Sequence, residues 1–182
     1  MNISELLSTP EKERVLRRLL YHSTETSLRK TARDAGVSAG QVHNYFSILK
    51  KRKLLAGRKL ADSALVKVLR LTENVAYLES LDVVSLLRSK LFGVKGVGLY
   101  GSWGNGTNNE KSDVDVWVLI AKQPGDLAVG KARRSLEEKL GKTVDLTILT
   151  PERLARIRAK NPAFYSSIFN SLKLWGDDIW SV

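Results

Sequence analysis

The sequence predicts an α+β chain of two domains, a mostly helical one over residues 1–90 and a small α/β one over residues 91–182. Three observations carry this. Through the first ninety residues apolar side chains recur at helical spacing, as in Val15, Leu16, Leu19 and Leu20. From residue 94 onward, strand-like runs alternate with helix-like ones. The charge is also uneven. Residues 1–90 hold 17 Lys and Arg against 9 Asp and Glu, residues 91–182 hold 13 against 10, and the whole chain is +11.

Residues 1–22 read as one helix, with Thr9 and Pro10 suited to its first turn and the Val15–Leu20 stripe facing a core. Residues 28–35 read as a short helix capped by Thr26 or Ser27 and stopped by Gly36, with Val37 packing beneath. Ser38 caps the next helix, which runs to about Lys53. Val42, Phe46 and Leu49 turn inward, leaving Gln41, His43, Asn44, Ser47 and Lys50 outside. Small, polar and basic residues on the outer face of a second helix suit a major groove. Residues 26–59 hold nine basic residues and one acidic, Asp34. A basic surface of this density suggests a polyanion partner. Residues 32–55 are similar to winged helix-turn-helix regulators. The likeness implies DNA binding through Ser38, Gln41, His43, Asn44, Ser47 and Lys50, and a wing from residues 54–58 and 65–71 with Arg58 and Lys59 at its edge. Residues 73–91 read as a further helix that bridges the halves or dimerises, so a homodimer is among the partners considered.

The second half is organised around Gly101 to Asp115, G-S-W-G-N-G-T-N-N-E-K-S-D-V-D. Residues 94–100 suit a strand, and Val114 to Ile120 suits a stronger one. The glycines and asparagines between them favour turns over a helix. A Gly-Ser turn offers backbone N–H groups and a hydroxyl to a phosphate, and glycine lets the backbone approach closely. Asp113 and Asp115, two apart on a strand, leave the same face with Cα atoms ~6.6 Å apart at about 3.3 Å per residue. Carboxylates so placed hold hard divalent cations. A phosphate cradle facing a metal platform describes nucleotidyl transfer. Beyond this stretch, Gln123-Pro124-Gly125 marks a turn and residues 126–140 a helix ended by Gly141. Residues 142–149 suit a third strand. Thr150 and Pro151 start a helix that Asn161-Pro162 breaks, and residues 172–175 suit a last strand. Of the four tryptophans, Trp103 alone is weighed as a base-stacking platform.

Gly101-Ser102, followed after a glycine-containing loop by Ser112-Asp113-Val114-Asp115, resembles the signature of the DNA polymerase β-like nucleotidyltransferase superfamily, and of its minimal members most. The resemblance covers residues 91–182 and implies a small α/β fold with a mixed sheet. It implies a third aspartate on a following strand, which Asp145 supplies. It also implies Gly101, Ser102 and Ser112 on an NTP such as ATP, and Asp113, Asp115 and Asp145 as catalytic ligands of Mg²⁺ or Mn²⁺. Minimal members often carry Arg where this chain has Asn105. Some act as antitoxins that modify a partner protein, which makes a partner protein one candidate acceptor. A DNA-binding regulator whose transferase fold is a sensor, or is inactive, is the alternative from another class.

Other chemistries fit less well. Gly96-Val97-Gly98-Leu99-Tyr100-Gly101 matches a dinucleotide fingerprint, but the residues that follow are too rich in glycine and asparagine for the long helix it requires. Asp113-Val114-Asp115 lacks the glycine and distal glutamate of an EF-hand. Both histidines, His22 and His43, precede the second half, so Ser102 has no histidine base there. A two-metal nuclease does not require the Gly-Ser turn. Without cysteine there is no disulfide and no thiolate zinc site. No run reaches the ~18 apolar residues of a membrane span, and the charged N-terminus does not read as a signal peptide. The expected location is cytoplasmic.

Overall fold

A computed structural model describes residues 3–22 and 26–181, so Met1 and Asn2 of the expected first helix and Val182 of the expected second domain lie outside the described residues. The chain forms two compact units. One comprises residues 1–73 with 108–111, the other residues 74–107 with 112–182.

The first unit opens with a 3₁₀ turn, Ile3–Leu6, and α1, Pro10–Tyr21. The single helix expected from residue 1 therefore starts later. Thr9 is extended, its hydroxyl accepts from the Lys12 N–H, and Pro10 takes the first position, a start signal that excludes helix before it. The helix α2, Leu28–Ala35, begins at Ser27, whose hydroxyl accepts from the Lys30 N–H, and stops at Gly36 in the left-handed conformation. The next helix, α3, Ala39–Lys51, starts with a reciprocal cap: the Ser38 hydroxyl accepts from the Gln41 N–H and the Gln41 side chain accepts from the Ser38 N–H. Val42, Tyr45, Phe46 and Leu49 of α3 are buried with Leu16, Leu19, Leu20 and Ala32. A hairpin follows, β1, Leu55–Ala56, paired antiparallel with β2, Lys59–Leu60.

The expected second wing strand over residues 65–71 is instead part of α4, Ala64–Ser80. The Ser63 hydroxyl accepts from the Val66 N–H and starts the helix. Val66 and Leu69, three apart, are buried in the first unit's core. The helix expected over residues 73–91 is split as well. Asp82, left-handed at φ 47°, separates α4 from α5, Val83–Lys90. Residues 108–111 belong to the first unit. There the Glu110 N–H donates to the Tyr21 carbonyl at 3.0 Å, and the Glu110 carboxylate lies 2.5 Å from His22 Nδ1.

The second unit is a four-stranded mixed sheet with helices. Its strands are β3, Val94–Leu99; β4, Val114–Ile120; β5, Val144–Leu149; and β6, Leu172–Gly176. Their order is β5-β4-β3-β6. The β4–β5 pair is parallel, and the other two pairs are antiparallel. Apart from Asp115, β4 consists of Val, Trp, Leu and Ile, the apolar run of a strand covered on both faces. The parallel pair is joined by α7, Asp126–Leu140, which ends at Gly141 as expected. Leu136 and Leu140 of α7 pack with Leu87 of α5, Val116 and Val118. On a second cluster, Trp117, Leu119, Leu149 and Tyr100 pack with Leu154 of α8, Pro151–Lys160, and Ile168 of α9, Pro162–Phe169. Among the described residues no helix is long and apolar enough to cross a membrane.

Candidate active site

The antiparallel β3–β4 pair and the parallel β4–β5 pair fix the site by register. Asp115, second in β4, is the direct partner of Asp145, second in β5. Neighbouring strands lie about 4.8 Å apart, so the two aspartates stand side by side near the starts of β4 and β5. On the other side of β4, the Tyr100 N–H donates to the Asp115 carbonyl at 3.1 Å. The chain then turns out of β3 at Gly101. Asp113 lies one residue before β4 and is exposed, Asp145 is exposed, and Asp115 is half-buried.

The Gly-Ser element is a five-residue helix, α6, Gly101–Asn105, rather than the expected open turn. Gly106 in the left-handed conformation ends it after little more than one turn. A helix of that length does not revive the dinucleotide fingerprint, whose helix must run on to the next strand. Two constraints make the local structure. Gly101 has φ +60°, and a Cβ there would fall within 2.1 Å of Asp115 Oδ2. Trp103 is buried in the main core of the unit, so its ring is packing and not a stacking platform. Its carbonyl accepts from the Asn74 amide at 2.9 Å.

The backbone N–H of Ser102 donates to the Asp115 carboxylate. Asn105 turns inward on its own loop: Oδ1 accepts from the Thr107 N–H at 3.2 Å and from the Thr107 hydroxyl at 2.5 Å. The position at which minimal transferases often carry Arg thus braces the loop here. Ser112 is half-buried at the mouth of β4.

Burial pushes the Asp115 carboxyl above its ordinary range. The charges of Asp145 and then Asp113 push the same way, against the Ser102 N–H. Asp115 therefore feels the charge of both other aspartates. Tyr100 holds one of them, donating its hydroxyl to Asp145 Oδ2 at 2.9 Å. The tyrosine was missed in the sequence, because nothing before the fold shows that β3 and β5 flank β4. Among the described residues, no three acidic, histidine or cysteine side chains gather closely enough to hold a metal ion.

The first unit's predicted residues lie on α3 or at its start. Gln41, His43, Asn44, Ser47 and Lys50 are all exposed on α3, as is Ser38 at its start. The side chains of Ser38 and Gln41 are engaged in the helix cap.

Comparison with known proteins supplies the family. The nucleotidyltransferase domain matches residues 83–174, half of the chain. Among curated proteins nothing matches significantly. Among solved structures, a toxin–antitoxin structure with AMP-PNP is 25% identical, covers 52% of this chain and 71% of its own, and has a TM-score of 0.43. A tri-AMPylated Shewanella oneidensis HEPN toxin in complex with MNT antitoxin is 21% identical, covers 59% of this chain and 73% of its own, and has a TM-score of 0.40. With its mixed sheet and with the matched segment enclosing Gly101, Ser102 and all three aspartates, the chain belongs to the nucleotidyltransferase domain family.

Proposed function

We propose that the protein transfers a nucleoside monophosphate from an NTP to an acceptor hydroxyl, with release of pyrophosphate. The observation that carries this reading is the packing of Gly101 and Ser102 directly on Asp115, with Asp145 in register beside it. A glycine backbone in contact with one carboxylate, and a second carboxylate one strand away, is the pairing of phosphate seat and acidic edge that nucleotidyl transfer needs.

The donor set suits Mg²⁺ or Mn²⁺ by its chemistry. The three aspartates form no ready-made three-ligand cage among the described residues, but Mg²⁺ is typically held by one or two carboxylates together with substrate phosphates, and Asp115 is disfavoured as an isolated anion by burial and by its two neighbours, a penalty that a cation offsets. Asp113 and Asp115 would hold the ion accompanying the triphosphate, and Asp145 would help hold a second. Bound cations neutralise phosphate charge and ease deprotonation of the attacking hydroxyl. The protein's own part is to seat the triphosphate against Gly101, the Ser102 hydroxyl and Ser112. Asp145 takes the proton of the acceptor hydroxyl as that oxygen bonds to the α-phosphorus and the bond to pyrophosphate breaks.

Asp113→Ala and Asp145→Ala are each expected to abolish incorporation of labelled nucleotide while circular dichroism stays that of the folded protein. Loss of several kcal/mol of charge stabilisation corresponds to about a thousandfold or more in rate. Near-wild-type incorporation by either variant overturns the assignment.

For the first unit we propose a winged helix-turn-helix role in DNA binding. What supports it is the outward side chains of α3, namely Gln41, His43, Asn44, Ser47 and Lys50, within a strongly basic segment. Affinity for duplex DNA is expected to fall steeply with salt as counterions are released. A salt-insensitive affinity contradicts it. As acceptor we favour a hydroxyl of a partner protein, on the motif resemblance to minimal transferases, over a sensor role. A partner that gains one nucleotidyl group only when Asp145 is intact supports this choice.

A further inference from the structure

Tyr100 takes no part in the transfer as described, yet its surroundings single it out. Its ring is buried beside Trp117, Leu149 and Ile168, with Phe164 edge-on at 5.8 Å and 78°. Its hydroxyl crosses β4 to reach β5. There it donates to Asp145 Oδ2 at 2.9 Å and lies 3.0 Å from Thr147 Oγ1. Asp145 and Thr147 are two apart on β5 and share a face.

The proton order follows. An ionised carboxylate can only accept, so the phenol hydroxyl is the donor in its 2.9 Å bond to Asp145. The oxygen of that hydroxyl then accepts from Thr147, which makes a relay from Thr147 to Tyr100 to Asp145. Phenylalanine would fill the same ring space, so packing alone does not explain the hydroxyl. Asp145 is exposed, where a carboxylate has several staggered rotamers open to it. A donor fixed from the buried side selects one orientation, engages Oδ2 and leaves Oδ1 for binding.

We infer that Tyr100, backed by Thr147, is a positioning residue for the transfer: it fixes the Asp145 carboxylate in the orientation that binds the divalent cation. This rests on the reading of Asp145 given above. Partners of this kind, which orient a ligand from outside, change metal affinity or activity by about 10–100-fold when removed.

The test compares full-length wild type, Tyr100→Phe and Thr147→Val. Mn²⁺ affinity is measured by electron paramagnetic resonance with a non-hydrolysable NTP analogue present, alongside kcat and KM for transfer and the unfolding temperature. Tyr100→Phe is expected to weaken Mn²⁺ binding and lower kcat by about 10–100-fold, with KM for the NTP unchanged. Thr147→Val is expected to move both in the same direction and less, because the bond from tyrosine to aspartate survives. A Tyr100→Phe variant with wild-type Mn²⁺ affinity and kcat overturns the inference, even if it melts at a lower temperature, since a purely structural role shows up as melting alone. If the wild type itself neither binds Mn²⁺ nor transfers, the parent reading falls and this one with it. If the wild type does both and Tyr100→Phe matches it, only the role of Tyr100 falls.

Discussion

Gly36 and Gly101 share nearly the same backbone conformation, φ +62° and +60°, and serve different ends. A Cβ on Gly36 would meet nothing within 4 Å, whereas one on Gly101 would strike Asp115 Oδ2. The first glycine stops α2 and lets the chain turn to α3. The second lets a backbone lie on a carboxylate. Each stands for its region. In the first unit the candidate contacts are exposed side chains on a helix that folds for its own reasons. In the second, Tyr100 is bonded to Asp145 and Ser102 to Asp115, so that altering one displaces its partner. Left-handed glycine alone therefore does not mark a site; what its missing side chain makes room for does.

The largest effect expected from this contrast is at Gly101. Gly101→Ala places a methyl group on the Asp115 carboxylate, and transfer is expected to fall by about a hundredfold or more, as misplacement of ~1 Å does elsewhere. Gly36→Ala is expected to leave the transfer rate unchanged and to cost about 1 kcal/mol of stability for the left-handed conformation, read by urea unfolding. Equal losses of transfer in both variants would erase the distinction.

A smaller effect separates the residues of α3. Asn44→Ala is expected to lose about 1–3 kcal/mol of affinity at a preferred DNA site, and Lys50→Ala to weaken binding to all sequences while lowering the salt slope by about one. Ser38→Ala is expected to act on stability instead, costing about 1 kcal/mol, because its hydroxyl caps α3. A Ser38→Ala variant of unchanged stability that loses DNA binding would move Ser38 from the cap to the interface.

The third effect is a pH dependence. Burial first, and the charges of Asp145 and Asp113 next, raise the folded pKa of Asp115 above its unfolded value near 3.8. The folded state thus binds the proton more tightly, and the protein loses stability as pH rises from the unfolded value through the raised one. Asp115→Asn removes that loss and keeps an acceptor for the Ser102 N–H. It is expected to be more stable than wild type at neutral pH, with the gain vanishing below pH ~3.8, while transfer is lost. A variant less stable than wild type at pH 7 contradicts the shift.

Much of this was legible in the sequence because local signals agreed with the fold. Thr9-Pro10, Ser38, and Thr150-Pro151 each start a helix where the cap chemistry places it. Gly36 and Gly141 each end one. The strands before and after the Gly-Ser motif follow their β-branched runs. What misled was a segment whose pattern suits two structures. Leu65 to Leu71 is a short apolar run broken only by Lys67 and Arg70, which serves as strand or helix, and the Ser63 cap and the burial of Val66 and Leu69 make it helical. The Gly-Ser helix was hidden because its one turn is held by tertiary contacts, with Trp103 buried, and not by propensity. The register of Asp115 against Asp145 and the reach of Tyr100 across β4 are properties of the assembled sheet, so no spacing along the chain encodes them.

The most direct test of the central claim is a crystal of the full chain soaked with Mg²⁺ and a non-hydrolysable NTP analogue. Density for the triphosphate is expected against Gly101 and the Ser102 hydroxyl, with cation density on Asp113, Asp115 and Asp145, and it should vanish in Asp115→Asn crystals. A nucleotide bound away from these residues, or one unaffected by the substitution, contradicts the assignment.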